Sequence, residues 1–333
     1  MSTSPGVVLL GTGSSLPERT LRNGDFPTCL NTSDKWIHAR TGIRERRIAT
    51  VTDTSASLGL AAGRLALESA QLDPADLDMI ICATVTSDML VPANACLIQA
   101  GLGCRTIPAF DLNAACSGFL YGLTVAAQFI GTGACRRVLV VGSETLSRVV
   151  DFSDRSTCVL FGDGAGAVVI GAAEGQDRGQ HWFRLYADGS RADLIRLNGA
   201  RLRTPASSPA EPRAVDAFDF LRIKGREVFK FAVRTIIDLI DESLKECRLS
   251  PADIDLVIPH QVNQRIIDSA FAHLHFPKEK LMVNLDRHGN TSAASIPIAL
   301  DEAMRTGRAA PGDRVLLIAF GGGLTWAGGV WTI

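Results

Sequence analysis

The sequence predicts an α/β fold built from two copies of one strand-and-helix unit. Two observations carry this prediction: apolar runs of strand length alternate with helical patterns, and three blocks of the chain recur at one spacing. Continuous apolar strands are typical of parallel sheets covered by helices on both faces. Hydrophobic residues make up 46% of the 333, enough to bury a large core. We therefore expect mostly parallel sheets between helical layers.

The recurring blocks indicate an internal duplication. Each lies 177 positions before its copy: LDPADLDMIICATV at 72–85 matches LSPADIDLVIPHQV, NAACSGFLYGL at 113–123 matches NTSAASIPIAL, and RVLVVGSE at 137–144 matches RVLLIAFG. Three blocks at one offset predict an N-terminal half, residues 1–175, and a C-terminal half, residues 176–333.

Both halves have the same predicted order of elements, because apolar runs bounded by Gly or Pro mark strands and amphipathic stretches mark helices. In the first half these are a strand at 7–13, a helix over Ser55–Ala70, a strand over Met79–Val85, a helix at 116–130 and strands at 137–142 and Ala165–Ile170. In the second half they are a strand at 183–189, a helix over Glu227–Glu246, a strand over Leu256–Pro259, a helix at 292–306 and a strand at 314–319. Residues 199–217 are rich in Pro, Ala, Ser and Arg, which predicts a surface loop.

Leu112–Cys135 contains 24 residues without a charge, long enough to cross a membrane. It includes polar residues and four glycines, however, and its copy carries Asp301, Glu302 and Arg305. Equivalent helices are expected in equivalent surroundings, so we predict a helix buried inside the protein rather than a membrane span.

Composition excludes several classes of protein. Lys+Arg numbers 34 and Asp+Glu 35, a net charge of −1, which excludes a globally basic nucleic-acid binder. The eight cysteines form no CxxC pair, which predicts free thiols in a reducing cytoplasm. The N-terminal residues lack the pattern of a secretory signal. Histidines and cysteines do not cluster at metal-ligand spacing, and the glycine motifs GTGSSLP and GDGAGA are incomplete as nucleotide loops, so neither a metal nor a nucleotide cofactor is expected.

Positions that differ between the two copies are candidates for chemistry. Ala83 becomes His260, Asp111 becomes His288, Cys116 becomes Ala293, and Asn113 remains Asn290. Strand ends and helix starts of this kind face the binding crevice in parallel α/β folds. Cys116 is predicted to open a helix, whose N-terminus lowers a thiol's pKa and activates it as a nucleophile. The alternatives are a buried structural cysteine, a satisfied core histidine and, for Asn290, a turn or capping residue.

Two further patterns suggest binding. AFGGGLTWAGG follows an apolar strand, and its glycines could offer backbone N–H groups to an oxyanion or simply form a tight hairpin. Basic residues also cluster: Lys35, Arg40, Arg44, Arg46 and Arg47 lie beside Trp36, and Lys224, Arg226, Lys230 and Arg265 lie further along. The clusters predict an anionic partner, and the alternative is a solvated basic face.

Taken together, the motifs of this sequence resemble those of the β-ketoacyl-acyl-carrier-protein synthase III family of the thiolase superfamily. The resemblance runs almost end to end, through TSDKWIHARTGIRERR, AACSGF, FGDGAGA, GREVFK, PHQVNQRII, LDRHGNTSAASIP and AFGGGLTW. It implies a five-layered αβαβα fold from duplicated halves and a homodimer. It also implies an acyltransferase that condenses an acyl-CoA primer with malonyl-acyl carrier protein, starting fatty acid biosynthesis without a cofactor.

By this resemblance the catalytic triad is Cys116, His260 and Asn290, and the oxyanion hole is formed by the N–H groups of Cys116 and Gly322. The resemblance further implies contacts with CoA (Trp36, Arg40, Thr41, Arg155 and Asn263), with the carrier protein (Lys230 and Arg265) and with the acyl chain (Val91 and Phe320).

Four residues depart from the family pattern. Ser117 stands where Ala is common, Ser156 where Gly is frequent, Arg226 where Asn is frequent, and Val91 where some members have Phe. A smaller residue at Val91 predicts room for longer or branched primers. The alternative function is a related enzyme of specialised metabolism with another primer or acceptor, and a catalytically silent subunit is opposed by the intact triad.

Overall fold

The computed structural model describes residues 6–173, 179, 181–197, 220–274 and 276–333. Its strands are β1 (Val7–Ser15), β2 (Thr20–Arg22), β3 (Glu45–Arg47), β4 (Met79–Ala83), β5 (Ala109–Leu112), β6 (Arg137–Thr145), β7 (Asp163–Ala172), β8 (His181–Ala187), β9 (Ile195–Arg196), β10 (Arg222–Ile223), β11 (Leu256–Pro259), β12 (Arg314–Gly321) and β13 (Thr325–Thr332). Its helices are α1 (Asp34–Thr41), α2 (Ser55–Ala70), α3 (Asn94–Leu102), α4 (Gly118–Gly131), α5 (Gly225–Cys247), α6 (Gln264–Leu274), α7 (Leu285–His288) and α8 (Ser295–Arg305). The predicted loop at 199–217 lies outside the described residues.

These elements stack in five layers, as the resemblance implies. One of the two large sheets has the strand order β1-β7-β6-β4-β5 and the other β11-β12-β13-β8, while β2 with β3 and β9 with β10 form two small two-stranded sheets. Helices α4 and α8 lie between the sheets and share one apolar core with both of them. Helices α2 and α3 cover the outer face of the first sheet, and α5 and α6 cover that of the second. The fold is therefore thiolase-like, αβαβα.

The expectation of mostly parallel sheets is wrong, because both sheets are mixed. β4 pairs parallel with β5 and β6, and β11 pairs parallel with β12. β7 is antiparallel to β1 and β6, and β13 is antiparallel to β12 and β8. The chain goes from β6 to β7, and from β12 to β13, without a crossover α-helix. Such a direct return gives antiparallel neighbours.

The charge-free segment forms the middle layer, as predicted. Helix α4 contributes Phe119, Leu120, Leu123 and Ile130 to the core between the sheets, and these side chains are at most 2% exposed. Within the described ranges, we find no helix with the length and apolar character that crossing a membrane requires.

The 177-residue offset is visible in the backbone as well as in the sequence. Gln71 after α2 and Arg248 after α5 both adopt the left-handed conformation, with φ of 54° and 56°. Ala115 before α4 and Ser292 before α8 do the same, with φ of 47° and 49°. Non-glycine residues seldom adopt this conformation, so its recurrence at equivalent positions indicates that both units fold through the same local geometry. The division at residues 175 and 176 stays a prediction.

Candidate active site

A cavity of about 540 Å³ lies where the ends of the parallel strands meet. Cys116 follows β5, His260 follows β11, and Asn290 precedes α8; all three line this cavity. Phe320, Gly322 and Asn263 line it too. The remaining lining is largely aliphatic, including Leu146, Leu160, Leu197, Leu221 and Ile223. The structure therefore brings together all three residues of the predicted triad, although His260 lies 144 positions and Asn290 lies 174 positions after Cys116 in the sequence.

Cys116 lies in a short 3₁₀ turn, Ala115–Ser117, immediately before α4. The turn is fixed to the other half of the molecule: the Ser117 hydroxyl donates to the carbonyl of Thr325 at 3.1 Å, and the Thr325 hydroxyl donates to the carbonyl of Ala114 at 2.8 Å. Ser117, one of the departures from the family pattern, therefore has a structural role beside the nucleophile.

Burial raises the pKa of the Cys116 thiol to about 12. The expectation that the helix start lowers this pKa is therefore wrong for the free protein, since removing the thiolate from water outweighs the stabilisation offered by its surroundings. The Ser292 side chain acts in the opposite direction, and the negative charge of Glu144 raises this pKa further. Cys116 consequently rests as a thiol and has to lose its proton during any attack.

His260 is 1% exposed, and burial lowers the pKa of its imidazole to about 3. Its Nδ1 atom lies 2.7 Å from the Ser295 hydroxyl, and its ring meets that of Phe320 edge to face at 5.6 Å. A histidine held in this way is neutral at physiological pH. It is therefore suited to hydrogen bonding rather than to carrying a positive charge.

Asn290 has the same local geometry as its copy. Its Oδ1 atom accepts the backbone N–H of Ser292 at 2.8 Å, just as the Oδ1 atom of Asn113 accepts that of Ala115 at 3.2 Å. Asn290 therefore does form a turn, which was the alternative to a catalytic role. Because the turn occupies the oxygen, the side-chain amide keeps its N–H groups for other partners. The structural and chemical roles are compatible.

The glycine run that ends β12 and forms the β12–β13 turn also lies against the nucleophile turn. A Cβ atom on Gly321 would lie 2.6 Å from the backbone nitrogen of Cys116. A Cβ atom on Gly322 would lie 3.6 Å from that of Ala115. This close approach explains the glycine run: any side chain at Gly321 would collide with the Cys116 turn.

The residues implied to bind CoA lie around α1. Guanidinium groups of Arg40 and Arg155 lie 4.7 and 5.2 Å from the Trp36 ring centre. Asn263, on the cavity wall, donates to the Arg40 carbonyl at 3.2 Å and so links this aromatic and basic cluster to the cavity. Thr41 is different: it is 4% exposed, and its hydroxyl donates to the Ile37 carbonyl. The structure therefore places Thr41 behind this surface.

Lys230 and Arg265, the residues implied to meet a carrier protein, are both exposed. The Arg265 guanidinium lies 5.9 Å from the Phe229 ring centre, and Phe229 lines the cavity. Arg226 is exposed and does not line the cavity, whereas its neighbours Gly225 and Val228 do. Arg226, which stands where Asn is frequent in the family, therefore lies outside the cavity.

Val91, implied to contact the acyl chain, does not line the cavity of the single chain, and its role stays a prediction. Its side chain is 84% exposed and outside the cavity lining of this chain. Ser156 is also exposed, and its hydroxyl donates to Asp154 within a local turn. His288 does not line the cavity, and its Nε2 atom lies 3.8 Å from a carboxylate oxygen of Glu302.

Sequence reasoning missed three polar residues around the triad: Glu144, Ser292 and Ser295. Glu144 is fully buried at the end of β6, Ser292 is 2% exposed, and Ser295 holds His260. A signal was present for two of them. At the 177-residue offset Glu144 becomes Gly321, and Ala115 becomes Ser292, which are departures of the same kind as Cys116 and His260.

Comparisons with known proteins agree with this arrangement. The family model for 3-oxoacyl-[acyl-carrier-protein] synthase III matches residues 110–189, and the model for its C-terminal part matches residues 244–333. The β-ketoacyl-[acyl-carrier-protein] synthase III of Natranaerobius thermophilus is 50% identical over 324 residues, covering 96% of each chain. That of Caldanaerobacter subterraneus is 49% identical over 322 residues, covering 97% of this chain and 96% of the relative.

Solved structures agree as well. The crystal structure of 3-oxoacyl-[acyl-carrier-protein] synthase III from Aquifex aeolicus superposes with a TM-score of 0.89 at 44% identity, covering 98% of this chain and all of that one. Similarity at this level over nearly the whole length confirms the resemblance found in the sequence. The chain belongs to the β-ketoacyl-[acyl-carrier-protein] synthase III family, whose members are acyltransferases.

Proposed function

We propose that this enzyme joins an acyl-CoA primer to malonyl-acyl carrier protein by decarboxylative condensation, through an acyl group held on Cys116. The observation that carries the proposal is the cavity shared by Cys116, His260 and Asn290. These side chains supply a nucleophile and two neutral hydrogen-bond donors, which are the groups that this reaction needs. The product, a β-ketoacyl-carrier protein, starts fatty acid biosynthesis.

In the first step the Cys116 sulfur attacks the thioester carbonyl of acyl-CoA, and CoA leaves. Negative charge develops on the carbonyl oxygen. The backbone N–H groups of Cys116 and Gly322 are the proposed donors to this oxygen, and the approach of the glycine turn to the nucleophile supports that assignment.

In the second step malonyl-carrier protein enters and loses CO₂. His260 and the Asn290 amide donate hydrogen bonds to its thioester oxygen, stabilising the enolate that forms. Two neutral donors fit this role because they do not attract the malonyl carboxylate, which has to leave as CO₂. A cation would bind that carboxylate and oppose its loss. The carbanion attacks the acyl group on Cys116 and releases the product.

The surroundings supply the binding surfaces. Trp36, with the guanidinium groups of Arg40 and Arg155, is the proposed site for the CoA adenine, and Asn263 contacts the pantetheine arm. Lys230 and Arg265 face the acidic carrier protein. The proposal includes a homodimer acting in the cytoplasm, where its substrates are made. The chemistry requires neither a metal nor a redox cofactor, because loss of CO₂ drives the condensation.

The test separates the two steps. Incubation with acetyl-, butyryl- and isobutyryl-CoA, followed by intact-mass measurement, is expected to show an acyl adduct on wild type and none on Cys116→Ala. Addition of malonyl-carrier protein is then expected to discharge the adduct, whereas malonyl-CoA should do so much more slowly. An adduct that persists in Cys116→Ala would contradict the assignment. Equal use of the two malonyl donors would favour the alternative of a specialised enzyme with a different acceptor.

A further inference from the structure

The carboxyl group of Glu144 is buried beside the nucleophile, and neither half of the reaction proposed above uses it. Its Oε2 atom accepts hydrogen bonds from the Thr86 hydroxyl at 2.6 Å, the Val85 N–H at 3.1 Å and the Thr84 hydroxyl at 3.3 Å. Its Oε1 atom is equally buried and has no hydrogen bond of normal geometry within the described ranges, although the Ser292 hydroxyl and the Ala293 N–H lie near the carboxyl group and lower its pKa. A buried carboxylate oxygen left in this state is costly unless the group has a further use.

Ser292 connects this carboxyl group to the nucleophile. Its hydroxyl interacts with both groups, lowering the pKa of the Cys116 thiol and that of the Glu144 carboxyl. While Glu144 is ionised, the hydroxyl donates to its carboxylate and can accept from the Cys116 thiol. Once a proton has reached Glu144, the hydroxyl is free to donate to the Cys116 thiolate, and this is the contact that lowers the pKa of the thiol. The contacts of the Ser292 hydroxyl with Cys116 and with Glu144 do not reach full hydrogen-bond geometry. Catalytic hydrogen bonds are often long or poorly aligned before substrate binds.

The duplication shows that the fold does not need these two polar groups. In the first half the equivalent turn is made by Ala115, with φ of 47°, packed against Gly321. In the second half it is made by Ser292, with φ of 49°, close to Glu144. Alanine and glycine therefore build the same turn without a hydroxyl or a carboxyl. The polar pair Ser292 and Glu144 occurs at only one of the two equivalent positions.

We propose that Glu144 accepts, through Ser292, the proton that Cys116 loses on acylation, and returns it when the condensation releases the thiolate. The proposal rests on the acylation step proposed above. As the sulfur–carbon bond forms, the thiol proton passes to Ser292 Oγ while the Ser292 proton passes to Glu144. CoA leaves as a thiolate and takes a proton from solvent. In the second step the sulfur–carbon bond breaks, and Glu144 returns its proton to Cys116 by the same route.

The electrostatics fit this assignment. Burial raises the pKa of Glu144 to about 7, so the group can hold or release a proton near neutral pH. Cys116 on the adjacent turn and Cys82 on β4 are the titratable groups whose pKa is raised by the Glu144 charge. Two anions this close are unfavourable, so Glu144 and Cys116 carry one negative charge between them. Once Cys116 is acylated, its sulfur is part of a neutral thioester and no longer takes up a proton, so the proton can remain on Glu144.

The variants needed for a test are expected to fold. Glu144→Gln keeps an oxygen that can accept from Thr86, Val85 and Thr84. Ser292→Ala places in the second turn the residue that the first turn already has at the same φ. Glu242→Gln removes a carboxylate on α5, outside the cavity, and serves as the matched control. Thermal unfolding and circular dichroism report on folding, and if one relay variant does not fold, the others decide the outcome.

The experiment measures single-turnover acylation between pH 6 and 9 by rapid quench and intact mass, with the acyl-CoA that wild type uses fastest. In wild type the rate is expected to rise with pH through about 7 as Glu144 becomes ionised. Glu144→Gln and Ser292→Ala are expected to be at least tenfold slower at pH 8 and to lack this rise. The double variant should be within twofold of the slower single variant, because both changes break one relay.

Thr86→Val supplies a readout that a purely structural role would not move. It removes the 2.6 Å hydrogen bond that favours the ionised carboxylate, so the rise should shift to higher pH. If the relay variants acylate within twofold of the wild-type rate, and the midpoint of the rise in rate with pH is unchanged, the relay is overturned and the proposed function stands. A wild-type protein that forms no adduct would overturn the proposed function and the relay together.

Discussion

The Nδ1 atom of His260 lies 2.7 Å from the hydroxyl oxygen of Ser295, the first residue of α8. The same oxygen is 3.4 Å from the backbone N–H of Gln261, which donates to it. A hydroxyl that accepts from Gln261 keeps its own proton for another partner, and we assign that proton to the bond with Nδ1, which leaves the single proton of the neutral imidazole on Nε2. In this tautomer His260 can donate a hydrogen bond through Nε2.

Ser295→Ala should weaken condensation more than acylation. Without the hydroxyl, the imidazole loses the bond that selects its tautomer, and the fraction with a proton on Nε2 falls. We expect decarboxylation of malonyl-carrier protein to slow about tenfold, less than the roughly 10²–10⁴-fold that a general acid or base itself contributes, because His260 stays in place and only its tautomer is affected. Adduct formation with acyl-CoA should stay within threefold of wild type. Equal slowing of both steps would show that Ser295 acts only on the fold.

Stability should depend on pH through His260. Its pKa is about 3 in the folded protein against 6.5 for an ordinary histidine. Below pH 6.5 the unfolded chain binds a proton that the folded one does not, so the stabilising contribution is complete above 6.5 and is lost as the pH falls towards 3. Between pH 7 and 4.5, urea unfolding of wild type should lose about 2 to 3 kcal/mol more than that of His260→Gln. An equal loss in both proteins would contradict the assignment.

Trp36→Ala should impair CoA binding without affecting the chemistry. The ring lies 4.7 Å from Arg40 and 5.2 Å from Arg155, and its loss removes a flat partner for the adenine. A tenfold rise in KM for acyl-CoA with an unchanged kcat is expected. The matched control is an acyl-pantetheine substrate, which has no adenine, and its KM should not respond. A similar rise with both substrates would place the adenine elsewhere.

Gly321→Ala should disrupt the nucleophile turn. The new methyl group would lie 2.6 Å from the Cys116 nitrogen and 3.0 Å from its Cβ atom. Because the backbone on both sides is fixed, the turn must move, and acylation should fall at least a hundredfold while the melting temperature drops. Gly189→Ala is the control, since nothing lies within 4 Å of the position of its Cβ atom. Normal acylation in Gly321→Ala would show that the turn tolerates displacement.

The local elements followed from sequence because short-range patterns determine them. The helix over Ser55–Ala70 and the strand over Leu256–Pro259 have the predicted bounds, since capping residues and apolar runs are local. Strand direction did not follow: continuous apolar strands indicate burial on both faces, which mixed sheets provide as well as parallel ones. The duplication was readable because both copies keep the turn and strand residues of one unit.

The triad could be named from motifs, but its environment could not. Sequence placed Cys116 at a helix start and so predicted an acidic thiol, whereas burial between two halves of the molecule raises its pKa to about 12. Ser292 approaches Cys116 through packing of the two halves, and Glu144 approaches it through the strand order β6-β4-β5 within one sheet. Sequence alone therefore determined the family, the duplicated units and the reactive groups. Tertiary structure decided their protonation and partners, because desolvation and contact between distant segments depend on how the layers pack.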